Sequence, residues 1–209
     1  MERLGLIGSP SLETTLGYLR TINREVQKKR GLDHTAEIIL FSGNAERLNG
    51  LVDAGRWPEL TEHLISSARF AAGAGADCLV LCGSALNPMA GEIQRLLGVQ
   101  VACMGKAMVA KLASFGLKRV GLLGARSERE ARMWREHLGG SAVLLPGAAD
   151  QSRLRRYADL AADADVLPPA WQVETTRIIS QLRRAGADAV VLCAPELGRL
   201  AGHDEALLP

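Results

Sequence analysis

Two cysteines close near-identical nonapeptides in this chain. Ala74–Cys82 reads AGADCLVLC and Ala185–Cys193 reads AGADAVVLC, aligned without a gap and identical at seven of nine positions. Each copy reads as the end of a helix, a short turn, and a buried strand that delivers a thiol at its C-terminal tip. One thiol on each of two similar units suits one task well. A base removes a proton from one face of a carbon and an acid returns one to the other, which inverts a stereocentre. A free thiol titrates near about 8.5, and a strand-to-helix turn can lower that value by pointing backbone N–H groups at the sulfur. The same N–H groups, with the hydroxyls of Ser9, Ser11 and Ser84, can hold a substrate carboxylate. Such a dyad titrates as a coupled pair and requires no metal and no Schiff-base cofactor.

The remaining candidates carry plainer alternatives. Cys78 lies within its strand and reads as a small hydrophobe; Cys103 lies near the same sheet edge and reads as core. The four cysteines show no CxxC spacing and no neighbouring histidine, so a zinc site is not expected. In a cytoplasmic chain they are expected to be reduced. Ser9 and Ser11 bind substrate or cap a helix. Asn87 binds substrate or caps the next helix. Arg126 follows a strand tip, where it touches ligand or forms a surface salt bridge. Glu196 contacts substrate or supplies a helix N-terminal charge.

The elements that must place these residues alternate. Leu4–Ile7 reads as a strand and Gly8–Ser11 as a turn. A helix is expected over Leu12–Arg30, with apolar residues at spacings of three and four, Ser11 as N-cap, and Lys28-Lys29-Arg30-Gly31 as its end. Ala36–Phe41 is a second strand, and Pro58 opens a helix reaching Ala72. After Cys82 a turn leads into a helix with Asn87 as cap and Pro88 as first residue. Val99–Met104 is a fourth strand and Lys106–Phe115 a helix. The pattern then restarts: Arg3-Leu-Gly-Leu-Ile-Gly8 is echoed by Arg119-Val-Gly-Leu-Leu-Gly124. Ser127 and Glu130 fit a capping box for a helix to Leu138. A strand over Ser141–Leu145 and a helix near Ser152–Ala162 follow. Pro168-Pro169 breaks the chain, and a helix from about Gln172 leads into the strand ending at Cys193.

Strands alternating with helices predict an α/β protein of two pseudo-symmetric, doubly wound lobes, mostly parallel, with the active-site cleft between them. The expected domains are 1–103, with 196–209 available to complete the first lobe, and 104–195. Ligands in such sheets bind beyond the C-terminal strand ends, where both repeat cysteines fall.

Composition excludes several classes. The chain has 209 residues, a formal net charge of +2 and 4% aromatic residues, which gives neither the basic footprint nor the stacking platforms of a nucleic-acid binder. With 47% hydrophobic residues it is not globally disordered. No apolar run approaches a membrane span, and the N-terminus is too brief and wrongly charged for a signal peptide. A soluble, cytoplasmic protein is expected. Gly5-Leu-Ile-Gly8 and Gly121-Leu-Leu-Gly124 lack the GxGxxG spacing of a dinucleotide site.

Several segments together resemble the aspartate/glutamate racemase family. LGLIGSPSLETTLGYLRTIN at 4–23 is similar to the family's first strand, glycine turn and Glu-Ser/Thr-Thr helix start; AGRW at 54–57 is similar to a recurrent Gly-x-Trp. AGADCLVLC is similar to the first catalytic strand, and RVGLLGAR at 119–126 to the start of the second lobe. The resemblance implies a cofactor-independent racemase of two lobes, commonly a homodimer, with Cys82 as its first catalytic thiol. The chain departs from the family in instructive places. Gly83-Ser84-Ala85-Leu86-Asn87 stands where relatives read close to Asn-Thr-x-His, and Cys193-Ala194-Pro195-Glu196 where they read Gly-Cys-Thr-Glu. Aligned on Glu196, the second catalytic position is Ala194; aligned on the internal repeat, it is Cys193. Relatives also continue beyond Pro209 into a further strand and helix, so either the sequence is incomplete or one lobe lacks its closing element.

Three readings follow. The leading one is racemisation of an aspartate- or glutamate-like amino acid by Cys82 and Cys193. A second keeps the fold with one working cysteine, as in decarboxylases and isomerases of the superfamily. A third is a non-catalytic homologue that binds a small carboxylate.

Overall fold

Short apolar runs become the strands, and helices follow most of them. The computed structural model describes residues 3–125, 128–138, 143–162, 166–193, 196–201 and 207–208. The chain divides into two units, Met1–Cys103 and Met104–Pro209.

The first unit runs β1 (Leu4–Ile7), α1 (Leu12–Arg30), β2 (Ile38–Phe41), α2 (Ala45–Asp53), α3 (Trp57–Gly73), β3 (Cys78–Leu81), a 3-10 segment (Ser84–Met89), α4 (Ala90–Leu97) and β4 (Gln100–Ala102). Its sheet has the order β2-β1-β3-β4, all parallel. The second runs α5 (Met104–Ser114), β5 (Val120–Leu123), α6 (Glu128–His137), β6 (Val143–Leu144), α7 (Ala148–Ala162), α8 (Pro169–Arg184), β7 (Ala189–Leu192), α9 (Glu196–Ala201) and β8 (Leu207–Leu208). Its order, β6-β5-β7-β8, is again parallel and repeats the first. Parallel neighbours cannot be joined by tight hairpins, so each step needs the crossover helix the sequence supplies.

The helix over Leu12–Arg30 forms as expected. The Ser11 hydroxyl accepts from the Thr14 amide, and the Gly31 amide closes the far end on the Gln27 carbonyl. Other boundaries shift. Pro169 lies in the first turn of α8 instead of breaking the chain, because a missing amide costs nothing there. α9 and β8 do not complete the first unit: β8 extends the second sheet on β7, and Leu197 and Leu200 of α9 are buried in the second unit's core.

Most of the repeated nonapeptide has a structural job. The Asp77 carboxylate accepts from the Arg3 amide at 2.7 Å, and Asp188 accepts from Lys118 and Arg119 at 2.9 and 2.8 Å. In return the Asp77 and Asp188 amides donate to the Arg3 and Arg119 carbonyls, both at 2.8 Å. Each aspartate thereby pins the start of a central strand to its neighbour. Gly5 and Gly121 leave room for close packing onto the strand, by Leu79 of β3 and Ala71 of α3 at the first and by Leu182 of α8 at the second. A Cβ at Gly5 would lie 2.6 Å from Leu79 Cδ2, and one at Gly121 would lie 3.0 Å from Leu182 Cδ1. The cysteines at the strand ends have no part in this clamp.

The first core joins Ile7, Leu79 and Leu81 to Leu48, Leu60, Leu64 and Ile93. The second unit has two clusters. Val120, Leu122 and Val191 pack with Leu112 of α5 and with Met133 and Trp134 of α6. Leu123 and Val190 pack with α7, α8 and α9. Alternate strand residues thus feed opposite faces, which is the doubly wound arrangement.

Candidate active site

In each sheet the chain leaves its first strand toward one side and later returns to the other. That divergence opens a crevice between the C-terminal ends of the two central strands. In the first unit these ends are Ile7, leading into Gly8–Ser11, and Leu81, leading into Cys82–Ser84. In the second they are Leu123 and Leu192, the latter followed by Cys193.

The two cysteines hold the same backbone position. Leu81 pairs with Ile7, and the Cys82 amide donates to the Ile7 carbonyl at 2.9 Å. Leu192 pairs with Leu123, and the Cys193 amide donates to the Leu123 carbonyl at 2.8 Å. Register therefore equates Cys193 with Cys82; Ala194 lies outside the described residues.

Cys82 is 0% exposed, and burial pushes its thiol up to about 12. The expected lowering by a strand-to-helix turn is overturned at rest, because desolvation of the thiolate outweighs any help from nearby amides. Gly83 turns the chain away at φ +120°, where a Cβ would sit 3.1 Å from Ser9 Oγ. The Gly83 amide bonds the Tyr18 hydroxyl. Burial nevertheless raises Tyr18 to about 12, and the neighbouring Cys82 raises it further.

The polar candidates around Cys82 are built into the fold. Ser9 Oγ accepts from the Ser11 amide at 3.2 Å, and the Ser9 amide donates to Thr15 Oγ1 at 2.9 Å. Ser11 caps α1. Ser84 is buried. Asn87 does not open a helix, as the sequence suggested: it lies within the 3-10 segment, which also contains Pro88. Its Nδ2 donates to the Leu81 and Gly83 carbonyls at 3.1 and 2.8 Å, fixing the loop that carries Cys82. That backward reach satisfies two carbonyls a forward cap would leave open.

Cys193 sits in different company. The residue keeps some accessible surface, yet its sulfur packs on the cluster of Met133 and Trp134. Burial is the largest cause of a thiol pushed well up. The Glu130 charge and a hydrogen bond to Glu130 push the same way, and the Trp134 side chain pulls back. The buried Trp134 indole belongs to the cluster on which the sulfur packs. Arg126 lies outside the described residues, as does the side chain of Glu196, whose backbone begins α9.

Sequence reasoning missed Tyr18 and Glu130 as neighbours of the thiols. Glu130 is 0% exposed. It shares an inner face of α6 with Met133 and Trp134, a signal that the capping-box reading absorbed. Among the described residues no cluster of His, Cys, Asp and Glu could hold a metal ion. No helix among them is long and apolar enough to cross a membrane.

A model of the Asp/Glu/hydantoin racemase family matches residues 4–209. Among solved structures, the chain is similar to a candidate Asp/Glu racemase from Yersinia pestis, with 25% identity and a TM-score of 0.87 over 100% of this chain and 94% of that one. An aspartate racemase homologue from Pyrococcus horikoshii OT3 shares 20% identity with a TM-score of 0.77, covering 97% and 89%. A liganded mutant of arylmalonate decarboxylase shares 14% with a TM-score of 0.55, covering 94% and 79%. The latter two likenesses bear on the fold. With the match running over nearly the whole chain and the paired α/β units repeating one strand order, the chain belongs to the Asp/Glu/hydantoin racemase family.

Proposed function

We propose that the protein is a cofactor-independent racemase of a small amino acid of aspartate or glutamate type, with Cys82 and Cys193 exchanging the Cα proton. The observation that carries this reading is the common register of the two thiols, each one residue past the last paired position of a switch-point strand. The structural clamp explains the aspartates and glycines of the repeat and leaves the cysteines over.

The chemistry follows from the thiol environments. A thiol near pH 12 is thiolate in only about one molecule in 10⁵ at pH 7, yet it is a strong base once ionised. The α-ammonium group of an arriving amino acid supplies positive charge beside the sulfur and favours the thiolate. The thiolate then takes the Cα proton and the other thiol returns one. Ser9 and Ser84 are the hydroxyls this reading assigns to the substrate carboxylate, with Arg126 and Glu196 as further contacts. A homodimer in the cytoplasm is its working form, in keeping with four cysteines outside any disulfide; sedimentation equilibrium tests the dimer.

The deciding measurement is hydrogen–deuterium exchange at Cα of aspartate and glutamate, with wild type, Cys82→Ala and Cys193→Ala. Loss of a positioned acid or base is expected to cost about 10²–10⁴-fold. Full activity in both variants rules the mechanism out. If only Cys82→Ala is inactive and the product is not the mirror image, the single-thiol decarboxylase or isomerase reading replaces it.

A further inference from the structure

We propose that Glu130 is the positioning residue and proton partner of Cys193: its buried carboxyl, on the inner face of α6, takes the thiol proton when Cys193 works as base and returns it after Cys193 has worked as acid. The inference rests on the racemase reading for its catalytic meaning, but the thiol–carboxyl pair can be tested without it.

α6 begins four residues past Gly124, so its first turns lie close to the end of β5, which pairs with β7, the strand that carries Cys193. Residues 130 and 134 are one turn apart on one helix face. Glu130 is 0% and Trp134 1% exposed. Glutamate is almost never fully buried unless it is paired, and burying a charge is costly. The Cys193 thiol is the partner the structure gives it on this side. The sulfur donates to the Glu130 carboxyl, whose charge also holds the proton in place, while Trp134 favours the ionised sulfur. Among the described residues, Glu130 is the charged group acting on the sulfur. The apolar residues clustered with it are Met133 and Trp134 of α6, Val191 of β7, and Met104 and Met108 of α5.

The transfer balances without a co-reactant. The S–H proton moves to the carboxylate, giving thiolate and carboxylic acid with no change in the pair's net charge. The thiolate forms a new S–H bond as the Cα–H bond breaks, and the electron pair is held on the substrate. The pair then carries two protons. In the reverse direction the S–H proton goes to Cα, and the carboxylic acid reprotonates the sulfur. A low-dielectric site makes this internal exchange easier than bringing a proton from water. Tyr18 is the neighbour of Cys82 instead, so the device belongs to the second unit.

The test uses the full-length protein and three forms: wild type, Glu130→Gln and Glu130→Asp. Iodoacetamide labelling of each cysteine is followed by mass spectrometry against pH, with Cys82 as internal control. Cα exchange is measured in parallel. Glu130→Gln is expected to label Cys193 about tenfold faster at pH 8, since one unit of lost proton affinity is tenfold in thiolate. Cys82 labelling stays as in wild type. Cα exchange falls on the order of 10²-fold in kcat with KM changed less than about threefold. Glu130→Asp, which withdraws the carboxyl by one methylene, falls between wild type and Glu130→Gln. Cys193 profiles that coincide in wild type and Glu130→Gln overturn the proposal, as does unchanged exchange in a variant whose labelling has shifted. Should Glu130→Gln fail to fold, a Glu130→Asp profile identical to wild type overturns it. Absence of Cα exchange in wild type defeats the racemase reading, and the labelling profiles then decide the pair alone.

Discussion

Cys82 and Cys193 occupy the same place in two copies of one backbone plan, and their surroundings have diverged. Cys82 is sealed beneath a glycine turn, with the Tyr18 phenol beside it and burial as the one cause that moves its thiol. Cys193 keeps some exposure and meets a buried carboxyl and an indole. Duplication preserved what fixes the strands, namely the aspartate clamp and the close-approach glycine. What touches the sulfur was free to change.

The comparison is sharpened most strongly at the thiols. In the folded protein Cys82 should label at least about 10³-fold more slowly at pH 8 than in urea, since a shift from 9.0 to about 12 supplies that factor and burial of the sulfur adds to it. Because the folded value is the higher one, the neutral thiol contributes stability that is fully present below about pH 9 and lost as pH rises toward 12. Thermal melts across that range should therefore fall less steeply in Cys82→Ala than in wild type. Equal labelling of Cys82 in folded and unfolded protein would break the contrast.

Next in size is the turn. Gly83→Ala places a side chain at φ +120° and against Ser9 Oγ at 3.1 Å, and is expected to cost about 1–3 kcal/mol in chemical denaturation. An unchanged midpoint would show that the turn relaxes freely.

The strand glycines offer a direct test of one unit against the other. Gly5→Ala meets Leu79, Ala76 and Ala71 at 2.6, 2.9 and 3.0 Å, whereas Gly121→Ala meets Leu182 and Val190 at 3.0 to 3.3 Å. The first should destabilise by about 1–3 kcal/mol and the second by less. The reverse order, read from denaturation midpoints, would contradict the tighter packing of the first unit.

The smallest effect is expected at Tyr18→Phe. Loss of the hydroxyl that the Gly83 amide bonds should cost about 0.5–1.5 kcal/mol. Cys82 should also label somewhat faster as the turn loosens, and Cys193 should not respond.

Much of this protein was set by sequence. Apolar four-residue runs separated by amphipathic helices dictate a parallel sheet, since parallel strands need crossovers of helical length. Ser11 and Gly31 mark the ends of α1 because an oxygen and a positive φ are what those ends require. The duplicated nonapeptide announced two units and two strand-end thiols. Tertiary structure decided the rest. Asn87 reads as a cap until the Leu81 and Gly83 carbonyls are close enough to draw its amide backward. Residues 196–209 read as available to complete the first unit until β8 finds the open edge of β7. Whether a strand-end thiol is acidic or basic depends on desolvation and on groups distant in the chain, Tyr18 for Cys82 and Glu130 for Cys193. Local pattern fixes where each sulfur stands in the sheet; only the packing of helices over that edge fixes how tightly it holds its proton.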